Sequence, residues 1–277
     1  MADWTLFDGA GTQGDDWTNG AQPLAITLTH PSVANTYGPF VTLSASLPFD
    51  ICGIDFMTGI WNGDGFSHVF DLATGSAGNE QVFAQAICVL GTDRFMPMHF
   101  PCCLPKGARL SARQQSNTNT AISILLASTL RPQTFMQGQM LQTNDVHGYN
   151  SGTSTGTVVD PGGSAYTKGS WAQIVSSTPR PASAIAVQIW PNNNTGGTNA
   201  QYRIDVGVGG AGSEKVVLGD LWMHFTSNVG GAGQPSANFL GPFPCSIPAG
   251  SRLSMRCECN LSSSGPRETS MCLRTFT

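Results

Sequence analysis

Charge is scarce in this chain. Of its 277 residues only 11% are Asp, Glu, Lys or Arg, lysine occurs only as Lys106, Lys168 and Lys215, and the net charge is −4. Nucleic-acid recognition rests on a basic footprint, so no nucleic-acid partner is expected. Long apolar runs are missing too: no stretch approaches the roughly 18 residues of a membrane span, and no membrane partner is expected. The first residues, Met1 to Gly14, carry acidic residues and glycine where a secretory leader would carry basic residues and an apolar run. The expectation is a chain made in cytoplasm, with its eight cysteines reduced. No amphipathic stripe of three helical turns occurs, and neither does a G-x-S-x-G elbow or an H-E-x-x-H pair.

What the chain has is glycine (33), proline (17) and a 40% hydrophobic share. That is enough to build cores, with many turns between short strands. It also has an internal repeat. Phe100–Asn117 returns as Phe243–Asn260 with ten of 18 positions identical, and Asp71–Val82 returns as Asp205–Val216, in the same order. The spacing between the blocks is nine residues longer in the second copy, and the surplus falls in the Gly-rich stretch Thr226–Asn238, expected as an enlarged loop. Upstream, Pro48–Phe56 aligns with Pro181–Ile189, and Trp17 pairs weakly with Trp171.

Inside each copy the apolar period is two, the mark of a half-buried strand. Ile185, Val187 and Ile189 alternate with Ala184, Ala186 and Gln188; Tyr202, Ile204 and Val206 alternate with Arg203 and Asp205. The expected fold is therefore all-β: two tandem antiparallel β-sandwich modules, jelly-roll-like, produced by internal duplication. The expected boundaries are 1–131 for copy one, 132–169 for a linker and lead-in loop rich in Gln, Thr, Gly and Ser, and 170–277 for copy two.

Comparison of the copies also weighs the candidate sites. Gly207-Val-Gly-Gly-Ala-Gly212 has the form of a dinucleotide loop, but no helical stripe follows it and copy one has Ala73 in place of Gly207. A strand-connecting turn is expected, with Gly75/Gly209 and Gly78/Gly212 at positive φ. The acids Asp71 and Glu80 recur as Asp205 and Glu214, and the arginines Arg109 and Arg113 recur as Arg252 and Arg256. Such acids suit a metal or an acid–base pair. The competing and favoured account pairs them with the arginines inside each sandwich. Only Cys102 and Cys245 occur in both copies; the cysteines lack zinc-hook spacing and read as buried small hydrophobes. His68 aligns with Tyr202 and reads as a packed residue. No catalytic residue, cofactor or metal is assigned, and an enzyme is not expected. The one binding constellation is aromatic plus amide or carboxylate at strand ends: Trp61 with Asp64, and Trp190 with Asn192 and Asn193, which suits a glycan or a partner contact.

The pattern D-[VL]-[AG]-x-G-x-A-G-x-E-x-V followed by F-P-C-x-[LI]-P-x-G-x-R-L-S-x-R, carried by Asp71–Val82 with Phe100–Arg113 and by Asp205–Val216 with Phe243–Arg256, resembles a repeat of virion proteins of tailed bacteriophages. The resemblance implies a particle component, assembled in the host cytoplasm: a capsid decoration or cement protein that contacts the major capsid protein or other virion proteins and self-associates. The alternative it leaves open is a tail, fibre or baseplate protein binding a host glycan.

Overall fold

A computed structural model describes residues 5–7, 13–14, 26–60, 68–89, 96–121, 123–132, 144–190, 200–226, 234–235, 239–261 and 268–277. All the regular structure among them is β-strand. The chain divides into two compact units, Met1–Asn144 and Asp145–Thr277.

In unit 1 the principal strands are β3 (Ile26–Thr29), β4 (Val41–Ser44), β5 (Ile51–Ile60), β6 (His68–Thr74), β7 (Gln81–Val89), β8 (Met96–Leu104), β9 (Leu110–Ser116) and β10 (Ser123–Pro132). One sheet orders them β3-β10-β5-β8 and the other β4-β9-β6-β7. Counted as one to eight, these are orders 1-8-3-6 and 2-7-4-5, the two sheets of a jelly roll. Short strands β1 (Thr5–Phe7) and β2 (Gln13–Gly14) extend the first sheet beyond β10. The sheets face each other across a core in which Phe56 of β5 meets Phe70 of β6 edge to face at 5.3 Å.

Unit 2 repeats this arrangement. Its strands β12 (Thr157–Val159), β13 (Ala172–Val175), β14 (Ala182–Ile189), β15 (Ala200–Val208), β16 (Lys215–Thr226), β18 (Phe239–Ile247), β19 (Leu253–Cys259) and β20 (Thr269–Phe276) form sheets β12-β20-β14-β18 and β13-β19-β15-β16. These are again 1-8-3-6 and 2-7-4-5. The strand β11 (Asn144–His147) pairs with β20, and β17 (Gln234–Pro235) with the end of β16. The core joins both sheets through Ile185, Val187 and Ile189 on one side and Tyr202, Ile204, Val206, Leu253 and Met255 on the other.

The registers correct three sequence expectations. Ile51 stands opposite Leu104 as Ala182 stands opposite Ile247, and Ile54 opposite Phe100 as Ile185 opposite Phe243. The counterpart of Cys52 is thus Ser183, two residues before Ile185. A shift of two leaves every side chain on its original face, so alternation alone could not detect it. Secondly, residues 145–169, expected as linker and lead-in loop, belong to unit 2 and hold β12 and part of β11. Thirdly, β14 is not half-buried: Ala184, Ala186 and Gln188 are as enclosed as the core-facing side chains between them.

Candidate functional site

The recurring acids and arginines come together in each unit at the turn joining β6 to β7 or β15 to β16. In unit 1, Arg109 Nη1 donates to Glu80 Oε1 at 2.9 Å and to the Gly75 carbonyl at 3.1 Å, while its Nε and Nη2 reach Thr42 Oγ1. In unit 2, Arg252 Nη1 donates to Glu214 Oε1 at 2.8 Å and to the Gly209 carbonyl at 3.2 Å, and its Nε reaches Gln173. The turn glycines have the positive φ that their recurrence implied: 106° and 84° at Gly75 and Gly78, 130° and 79° at Gly209 and Gly212. Burial raises the Glu80 and Glu214 carboxyls, but hydrogen bonds from their own N–H, from the arginine and from the Gly78 or Gly212 N–H outweigh it and hold both below the ordinary range.

The second pair lies deeper. Arg113 Nη2 meets Asp71 Oδ2 at 2.9 Å, and Arg256 Nε meets Asp205 Oδ2 at 2.9 Å. The remaining oxygen of Asp71 accepts from the Ala86 N–H at 2.8 Å and from the Tyr37 hydroxyl at 2.9 Å. The remaining oxygen of Asp205 accepts from the Asp220 N–H at 3.0 Å and from Lys168 Nζ at 2.8 Å. Both N–H donors sit at bulge residues with positive φ, 54° at Ala86 and 53° at Asp220. The carboxylates therefore pin a kinked strand to its neighbour. Burial raises Asp205, and Lys168, the Asp220 N–H and Arg256 together pull it below its usual value. Each guanidinium is covered by aromatic rings: Arg113 by Tyr37 at 4.1 Å and Phe40 at 4.7 Å, Arg256 by Trp171 at 4.5 Å. Trp171 thus matches Phe40; Trp17, its tentative partner by sequence, lies outside the described residues.

These acids are already engaged by cations and N–H groups, which leaves the metal or acid–base alternative without free oxygens at these positions. No group of three or more His, Cys, Asp or Glu side chains placed to hold a metal occurs among the described residues. None of the eight cysteines is joined in a disulfide. Burial raises Cys102 far above its ordinary value and pushes Cys272 up to about 12, so neither is a thiolate at neutral pH. His68 is fully enclosed, as its match to Tyr202 implied, and burial drives it down to about 3. The His99–Asp55 pair at 2.8 Å spans β8 and β5, but Ala186 and Pro242 hold those positions in unit 2.

Of the sequence-level binding candidates, Trp61, Asp64, Asn192 and Asn193 lie outside the described residues. Trp190 corrects the expectation made for it: its side chain is 0% exposed, stacked on Tyr149 at 6.2 Å, and offers no face to a ligand. Among the described residues the aromatic side chains that stand in solvent include Trp222, 55% exposed on β16, and Tyr166, 66% exposed. In sequence Trp222 aligns with Cys88 of copy one. The outward parity between Leu221 and Met223 was the signal available.

No family model matches this chain, and neither does any curated protein. Among solved structures, the N-terminal CBM22-1–CBM22-2 tandem domain of Xyn10C from Paenibacillus barcinonensis aligns over 99% of this chain and 93% of that one, with 12% identity and a TM-score of 0.29. A likeness of that size carries no argument about fold or function.

Proposed function

We propose that this chain is a non-enzymatic structural component of a virus particle, a capsid decoration or cement protein acting through protein–protein contacts. The observation that supports the reading is where the shared residues go. Asp71, Glu80, Arg109 and Arg113, with Asp205, Glu214, Arg252 and Arg256, all act within their own unit, fastening turn and bulge to strand. What both copies keep is a frame. The two-block motif resembles phage virion repeats, and the jelly roll is a scaffold used for capsid and lectin domains alike, so the scaffold by itself does not select between them. Two rigid sandwiches in tandem give a large sheet surface for burial against capsid subunits or further copies of this chain.

The test is abundance and place. Quantitative mass spectrometry of purified particles should find the chain at hundreds of copies per particle, removed together with particle stability on mild dissociation. A handful of copies, or absence from the particle, would overturn the assignment.

A further inference from the structure

The outer face of the β13-β19-β15-β16 sheet divides into a covered half and an open half. Residues 166–171 run along the free edge of β19, with the Tyr166 N–H on the Cys259 carbonyl and the Gly169 N–H on the Cys257 carbonyl. From there Lys168 reaches Asp205 and Asp220, and Trp171 covers Arg256. This closes the rows built on Arg256, Asp205 and Gly207. The next rows are open. Trp222 stands opposite Arg203, which stands opposite Glu258; His224 stands opposite Gln201, whose N–H bonds Asn260 Oδ1.

The open rows have a definite chemistry. The indole of Trp222 is steadied by His224, ring to ring at 5.9 Å and 26°. Arg203 Nε donates to Glu258 Oε1 at 2.6 Å, while the Arg203 side chain stays 48% exposed. Gln201 is exposed beside them, and Tyr166 is 66% exposed at the β19 edge. The array has one flat apolar face, charges of opposite sign that cancel, and both donors and acceptors. Glu258 itself is buried and serves to hold Arg203 in place. In unit 1 the same row reads Cys88, Val69 and Gln115, and all three are buried, whereas in unit 2 Trp222 and Arg203 are exposed.

We infer that the outer sheet face of unit 2 binds a neutral saccharide, a pyranose stacking its C–H face on Trp222 while its hydroxyls bond Arg203 and Gln201. Shape and polarity favour this occupant over a protein. The fully buried core of a protein interface is about 65% apolar, whereas the side chains beside Trp222 are Arg203, Gln201 and His224. An anionic ligand would meet the exposed Asp220, and a cationic one Arg203 and Lys168. A neutral ring with hydroxyls at its rim offends none of them. This site is separate from the virion assignment and would stand on a particle protein or on any other.

The experiment uses the full chain on an array of defined oligosaccharides with neutral, amino-sugar, sialylated and sulfated members, followed by titration calorimetry on the best binder. The expected result is binding to a neutral group, weakened at least tenfold by Trp222→Ala and severalfold by Arg203→Ala and Tyr166→Ala. Trp222 is a surface residue, so the variant's unfolding midpoint should match the parent and report an intact fold. A silent array overturns the inference, as does binding that Trp222→Ala leaves unchanged or that selects acidic glycans. So does loss of self-association on Trp222→Ala with no saccharide bound, which would make the face a protein contact.

Discussion

The two units are one fold built twice, and their differences lie outside the frame they share. In both, a carboxylate at the centre of the outer sheet holds an arginine and a bulge N–H, and in both a third donor arrives from the segment lying on the sheet. That donor is the Tyr37 hydroxyl in unit 1 and Lys168 Nζ in unit 2. The exchange turns a neutral contact into an ion pair that also reaches Asp220. One row further out the copies part: Val69 and Cys88 are buried in unit 1, Arg203 and Trp222 exposed in unit 2. Duplication let the interior stay fixed while one outer row became polar and open.

The comparison can be broken at its centre first. Asp71 is wholly enclosed, and Asp71→Ala would strand a guanidinium, a hydroxyl and the Ala86 N–H; removing one partner of such a buried pair costs about 3–5 kcal/mol. Asp205 has the same role, with Arg256 30% and Lys168 20% exposed against 27% for Arg113, so Asp205→Ala should cost a similar amount. Urea unfolding of the full chain measures both, and a cost for Asp205→Ala below about 1 kcal/mol would show that the shared carboxylate does not hold the frame in both units.

Acid should act through His68, where unit 2 has Tyr202. Its folded pKa of about 3 lies below the unfolded value near 6.5, so the unfolded chain takes up the proton first. Stability contributed by the neutral ring is complete above pH 6.5 and drains away as pH falls towards 3, by up to about 1.4 kcal/mol per pH unit. In His68→Leu the slope of stability against pH over that window should fall by close to one proton, whatever constant offset the substitution adds; an unchanged slope would exclude His68 as a source.

The smallest effect concerns Gly207 and Ala73. A Cβ on Gly207 would lie 2.8 Å from the Trp171 ring, while unit 1 carries Ala73 together with the smaller Phe40. Gly207→Ala alone should cost about 1 kcal/mol by overpacking, and Gly207→Ala with Trp171→Phe should recover most of it. A double-mutant cycle with no coupling would refute the packing account.

Much of this frame was legible in sequence because repetition acted as its own control. The turn glycines, the four recurring ion-pair positions and the enclosed His68 all followed from comparing His68–Arg113 with Tyr202–Arg256. What was lost follows from the physics of strands. The offset at Pro48 was wrong by two, which a period of two cannot reveal. The strand Thr157–Val159 is three residues long within Gly- and Ser-rich sequence, too short for alternation to register. Trp190 looked like a surface aromatic because a Pro-Asn run follows it, yet stacking on Tyr149 depends on a residue 41 positions earlier. Trp222 was legible by parity, but its meaning depended on learning which rows residues 166–171 leave open.

Residues that hold the frame are distinct from residues that face outward, and one paired measurement tests that separation: the urea unfolding midpoints of Asp71→Ala and Trp222→Ala in the full chain. The expected result is a loss of several kcal/mol for Asp71→Ala, and a change within about 0.5 kcal/mol for Trp222→Ala, as at ordinary surface positions. A stable Asp71→Ala protein beside a destabilised Trp222→Ala protein would contradict it.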